Sequence, residues 1–142
     1  MLRLSLLVAT YNRSASLLGA LESVAGQRAD PAVWECVVVD NNSQDDTAAC
    51  VEAFRQAHPG LNLRLVRESR QGLSHARNRG IAESRGEYLA IIDDDERINP
   101  DFVRAYIDFF DTHPEAAAAG GRIIAEYPQG CLLYTSPSPR DM

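Results

Sequence analysis

Short apolar blocks alternate along this chain with amphipathic stretches, and turn or cap residues stand at each junction, the pattern of a parallel sheet with crossover helices. Leu4 to Ala9 predicts the first strand. Leu17, Leu18, Leu21, Val24 and Ala25 then share one helical face that ends at Gly26. Trp34 to Val39 predicts a second strand running into Asp40. Asp45, Asp46 or Thr47 can cap the next helix, whose inner face is Cys50, Val51, Phe54 and Ala57 and which stops at His58, Pro59 and Gly60. Leu61, Leu63 and Leu65 alternate as a third strand, and a helix over 73–84 presents Leu73, Ala76, Gly80 and Ile81. Gly86 resets the chain for a fourth strand, Tyr88 to Ile92. Pro100 opens a helix with Phe102, Val103, Tyr106, Ile107 and Phe110 inward, and a last strand is expected over about Ala117 to Ile124. No internal repeat or interior linker interrupts this order, so the expectation is one α/β unit, a mostly parallel sheet with helices on both faces.

The tail from Cys131 to Met142, CLLYTSPSPRDM, breaks the pattern: it has no periodicity and packs serine and proline together. Its back-translation resembles a transposon-end adapter of sequencing libraries. Residues 131–142 are therefore expected to be a foreign, unstructured tail, and the native sequence to stop near Gly130 in mid-domain.

Composition narrows the function classes. The 142 residues carry 14 basic and 20 acidic side chains, a net charge of −6, so general nucleic-acid binding is excluded as an expectation. The longest apolar runs fall far short of the roughly 20 residues that span a bilayer, and the amino terminus lacks a signal-peptide core. A soluble, cytoplasmic protein is expected. Cys36, Cys50 and Cys131 form neither a metal spacing nor an even disulfide set.

In open parallel sheets ligands bind outside the carboxyl ends of the strands, and three strand ends here are rich in polar groups. The first offers Thr10, Tyr11, Asn12 and Arg13; an ordinary turn and helix cap explains it equally well. The second offers Asp40, Asn41, Asn42 and Ser43, where a carboxylate can accept from a ribose hydroxyl or a base N–H, or cap the following helix. The fourth is Asp93, Asp94, Asp95 and Glu96. Adjacent carboxylates repel unless a cation or donors offset them, and such oxygens suit Mg²⁺ or Mn²⁺ with positions left open for phosphate. Arg70, Gly72, Arg77 and Asn78 stand at the entry to the third helix, where guanidinium and backbone N–H groups suit an anion. Arg79 and Arg85 are expected on a solvated face. There is no nucleophile elbow, no P-loop and no glycine-rich dinucleotide fingerprint.

Together LLVATYNRSASL, VVVDNNSQDDT, RQGLSHARNRGIAESRGEYLAIIDDDE and the THPE segment resemble the amino-terminal half of a family 2 glycosyltransferase with the Rossmann-like GT-A fold, over about residues 3–126. The resemblance implies metal-dependent binding of a nucleoside-diphosphate sugar and inverting transfer to an acceptor hydroxyl. Thr10, Tyr11 and Arg13 would line the base pocket; Asp40, with Asn42 beside it, would hold the base or ribose; Arg77 would help to bind the nucleotide. Asp93 or Asp94 would face the ribose, and Asp95, with Asp93, would coordinate Mn²⁺ or Mg²⁺. The general base is expected beyond Gly130, so the fragment is expected to lack acceptor chemistry. The acceptor, a glycan, lipid or small molecule, is left unnamed, and a longer protein has room for association with the cytoplasmic face of a membrane.

Alternatives remain at this point. A GT-A-like sugar nucleotidyltransferase would need a glycine-rich basic loop where TYNRSAS stands. A receiver domain needs a lysine, and all 14 basic residues are arginine. A non-catalytic nucleotide-binding module would share the donor residues.

Overall fold

The computed structural model of the chain describes residues 1–115, 124–126 and 132–134. The chain divides into two compact units, Met1–Phe109 and Phe110–Met142.

In the first unit four strands, β1 (Leu4–Thr10), β2 (Trp34–Asp40), β3 (Leu63–Arg67) and β4 (Tyr88–Asp93), form an all-parallel sheet in the order β3-β2-β1-β4. Each strand is followed by a helix: α1 (Ser14–Ala25), α2 (Thr47–Ala57), α3 (Leu73–Glu83) and α4 (Phe102–Thr112). The side-chain period of two divides each strand between two faces. Leu4, Leu6 and Val8 of β1 join Trp34, Cys36 and Val38 of β2 on one face, against Leu17, Leu21 and Val24 of α1, Val51 and Phe54 of α2 and Val103 of α4. Leu7, Val37 and Val39 point the other way and pack on Ala76 of α3. Helices on both faces are as the pattern predicts. Burial pushes the Cys36 thiol up to about 12, so it is a neutral core side chain.

Local chemistry explains the helix boundaries. In α1 the buried residues Leu17, Ala20, Leu21 and Val24 follow helical spacing, and Gly26 caps the end by donating its N–H to the Glu22 carbonyl. Ahead of α2, Asp45 is the candidate whose side chain acts, accepting from the backbone N–H of Thr47 at 3.0 Å. Gly72 precedes α3 with φ +136, a backbone conformation suited to glycine.

Three apolar expectations need correction. Ala57, at the end of α2, is exposed, and the helix buries Thr47, Val51 and Phe54. Leu73 and Ile81 of α3 were expected inward but are 55% and 49% exposed. The buried positions of α3 are Ala76 and Gly80, and Ile81 lies about 100° round the helix from Gly80. Small residues serve here because α3 lies close to the sheet: a Cβ on Gly80 would stand 2.0 Å from Leu7 Cδ1. Gly80→Ala is therefore expected to cost about 1–3 kcal/mol by overpacking, read as a lowered urea midpoint. The third strand also begins at Leu63 rather than Leu61.

In the second unit β5 (Ile124–Glu126) and β6 (Leu132–Tyr134) pair antiparallel. Most of the strand expected over 117–124 lies outside the described residues; Ile124 opens β5. The expectation that residues 131–142 are unstructured does not hold for Leu132–Tyr134, where two leucines and a tyrosine have the composition of a short strand. The rest of that tail lies outside the described residues.

Candidate functional site

Parallel register brings the carboxyl ends of the strands level. Thr10 pairs with Asp40, Asp40 with Arg67, and Ala9 with Asp93, so the polar residues that terminate β1 to β4 stand in one row.

At the end of β1, Thr10 is buried and its Oγ1 donates to Asp94 Oδ2 at 2.9 Å. Tyr11 is exposed, its ring free to stack on a planar group. Asn12 adopts φ +50, which asparagine tolerates. Its backbone N–H donates to Ser43 Oγ at 2.9 Å and its Oδ1 accepts from the Gln44 N–H at 2.8 Å, tying the β1 end to the β2 end. At the β2 end Asp40 is buried; its Oδ1 accepts from the Ser43 N–H at 3.0 Å, closing a turn four residues ahead of α2, so it does not cap that helix. Its other oxygen, Oδ2, lies 3.8 Å from Arg67 Nη1. Arg67 Nη2 donates to Asn42 Oδ1 at 2.7 Å, and Asn42 has φ +65. Sequence reasoning gave Arg67 no role; the signal was its place as last residue of β3, in register with Asp40.

The acidic turn is not uniform. The Asp94 side chain is 10% exposed, held between Thr10 and Arg13 Nη1 at 3.6 Å, whereas Asp93 and Asp95 are 62% and 58% exposed. Arg13 Nη1 also lies 3.9 Å from Asp95 Oδ2, and Arg77 Nη2 lies 3.6 Å from Asp93 Oδ1. Two arginines, one just ahead of α1 and one within α3, thus offset three aspartates. Glu96 turns back to accept from the Asp93 N–H at 2.7 Å. Burial, aided by the charges of Asp93 and Asp95, raises the Glu96 pKa above the usual glutamate range.

The structure therefore gathers Thr10, Tyr11, Arg13, Asp93, Asp94 and Asp95 at one end of the β1–β4 pair. Asp40 and Asn42 stand beside them at the end of β2, and Arg77 reaches the turn from α3. Among the described residues no three His, Cys, Asp or Glu side chains are placed to share a metal ion. The outward pair Asp93 and Asp95 nevertheless fits a hard cation that takes one or two carboxylates and completes its shell with phosphate oxygens and water.

The sequence pattern of the family described as "Glycosyl transferase family 2" matches residues 5–130. The chain belongs to glycosyl transferase family 2. This family 2 chain is 36% identical over 120 residues to the succinoglycan biosynthesis protein ExoO of Rhizobium meliloti, covering 84% of the chain and 31% of that protein. The structure of Staphylococcus aureus TarS residues 1–349 in complex with UDP-GlcNAc superposes with a TM-score of 0.73 at 30% identity, covering 80% of this chain and 32% of that one. A mannosyltransferase from Pyrobaculum calidifontis, solved with GDP-Man and Mn²⁺, superposes at 0.74 with 28% identity, over 89% and 36% of the two chains. The fold of this family 2 chain is the GT-A fold seen in TarS. It spans about a third of the length of these relatives. Among the described residues no helix is long and apolar enough to cross a membrane.

Proposed function

We propose that the chain forms the donor-binding part of a glycosyltransferase that uses a nucleoside-diphosphate sugar and transfers it, with inversion, to an acceptor hydroxyl. The observation that carries this reading is the row of strand ends, with two outward carboxylates, Asp93 and Asp95, beside the ring of Tyr11 and the cations Arg13 and Arg77. An exposed aromatic face suits a base, and guanidinium groups suit a diphosphate. Asp40 and Asn42 border the same row and would hold the base or ribose. Asp94, engaged with Thr10, braces the acidic turn and so orients its two neighbours.

Asp95 and Asp93 would hold Mn²⁺ or Mg²⁺, which when bound offsets charge on the diphosphate leaving group. Arg13 and Arg77 would bind phosphate or nucleotide oxygens as they now bind carboxylates. The general base is proposed to lie beyond Gly130, so residues 1–142 bind donor nucleotide and do not turn over.

Calorimetric titration of the chain with UDP and GDP, with and without Mn²⁺, tests this. Binding is expected to need the cation, and Asp95→Ala to weaken it about tenfold or more, the loss of one charge-assisted contact. Metal-dependent binding left unchanged by Asp95→Ala overturns the metal assignment. Sugar transfer by residues 1–142 overturns the division between donor and acceptor chemistry.

A further inference from the structure

We infer that Asn41, which the sequence places at the β2 end without a role of its own, is the positioning residue of the donor site: its side-chain amide clasps the Glu68–Gly72 loop, sets where α3 begins, and so places Arg77 opposite Asp93. The inference rests on the donor-site reading above and adds a residue to it.

Asn41 follows the last residue of β2 and is only 4% exposed. Its main chain is anchored on one side, the N–H donating to the Thr10 carbonyl at 2.9 Å, and on the other the Glu68 N–H donates to the Asp40 carbonyl at 2.9 Å. From this fixed point its side chain reaches four groups of one loop. Nδ2 donates to the carbonyls of Arg70 at 2.8 Å and Glu68 at 3.2 Å, while Oδ1 accepts from the Gly72 N–H at 2.9 Å and Gln71 Nε2 at 3.3 Å. Two donors and two acceptor positions are thereby used. The carbonyls can only accept and the Gly72 N–H can only donate, so the amide has one workable orientation.

The loop leads directly into α3. Gly72, whose N–H is held by Asn41, accepts at its own carbonyl from the Ala76 N–H at 3.1 Å. Further along, Gly80 seats the helix against Leu7 with no room for a Cβ. Arg77 lies between these two anchors. Its Nε is buried with no hydrogen-bond partner among the described residues, and its ion pair with Asp93 is 3.6 Å long. Weak contacts of its own leave the guanidinium to be placed by the helix, and the helix start is placed by Asn41.

Asn41→Asp keeps the size, loses both N–H donors and sets a carboxylate against two carbonyl oxygens. Asn41→Ser is the uncharged second variant, for the case in which the aspartate does not fold. On the full chain, NMR and amide hydrogen exchange follow the Gly72 N–H, the Arg77 Nε–H resonance and the β1 and β2 amides. Titration with UDP and GDP plus Mn²⁺ follows the site. In the wild-type chain the Gly72 N–H is expected to be protected; free exchange there overturns the clasp outright. In the variants Arg77 Nε–H is expected to shift and nucleotide affinity to fall about tenfold, the scale of one charged contact, while β1 and β2 amides stay protected. An Arg77 resonance and affinity that stay at wild-type values while loop protection is lost overturn the positioning role. If the wild-type chain binds neither nucleotide, the donor-site reading fails separately, and the Gly72 and Arg77 signals still decide the clasp.

Discussion

Glu35→Ala is expected to destabilise the chain by about 3 kcal/mol, the lower end of the range for removing one member of a buried ion pair. Glu35 is 1% exposed at the amino-terminal end of β2, on the face that α3 covers. Its Oε2 accepts from Ser5 Oγ at 2.6 Å and from the Arg85 N–H at 2.8 Å, and its Oε1 accepts from Arg64 Nε at 3.0 Å. Truncation removes the acceptor of the Ser5 hydroxyl, while the Arg85 N–H is left with Ser5 Oγ at 3.2 Å and Arg64 with Glu83. The figure sits low in the range because the Arg64 side chain keeps 23% exposure and a second carboxylate, Glu83, at 3.6 Å. Equilibrium urea denaturation of the two chains checks it.

The same residue gives stability a pH dependence. Burial pulls the Glu35 pKa up, but the Ser5 hydroxyl, the Arg85 N–H and the Arg64 guanidinium together outweigh it and hold the carboxyl below its ordinary value of 4.5. A folded pKa below the unfolded one means stability that is present above the unfolded value and lost as pH falls through the folded one. The urea midpoint is expected to drop on acidification below about 4.5, and Glu35→Gln to flatten that slope. Some slope remains, because hydrogen bonds from Arg70 hold Glu68 low as well.

Gly86→Ala is expected to cost about 3 kcal/mol or more, the upper end for overpacking. A Cβ there would meet Ser5 N at 2.4 Å, the Leu4 carbonyl carbon at 2.5 Å and Ser5 Oγ at 2.8 Å. Two of these atoms are backbone of a central strand, which cannot rotate aside as a side-chain tip can. The Gly86 N–H also donates to Ser5 Oγ at 2.7 Å, the hydroxyl that donates to Glu35. The α3–β4 junction is thus pinned to β1 and β2 by one connected set of groups. Thermal unfolding of Gly86→Ala, Glu35→Ala and the double variant is expected to show a double loss smaller than the sum, since both break the same junction. Full additivity overturns the coupling.

The elements were legible because each has its own signal. Val37, Val38 and Val39 in a buried strand, and Leu17, Leu21 and Val24 at helical spacing, state their own structure. Leu73 and Ile81 misled because a helix pattern shows which residues could face a core, whereas α3 uses a narrow ridge of Ala76 and Gly80 to lie close to the sheet. The three aspartates were visible as a cluster, but their division into one buried and two outward carboxylates follows from Thr10 and Arg13, more than eighty positions away. Asn41 was visible only as one polar residue at a strand end and Arg67 not at all, because their partners come from neighbouring strands and loops.

By itself the sequence determined the alternation of strands and helices, the placing of polar residues after the apolar strands, and the family motifs, all of them consequences of local periodicity and of residue chemistry. Only the tertiary structure decided the strand order β3-β2-β1-β4, the level register of Thr10, Asp40, Arg67 and Asp93, and which carboxylates turn outward. Those depend on hydrogen bonds and close packing between segments far apart in the chain, which become specific only when the sheet has brought their ends together.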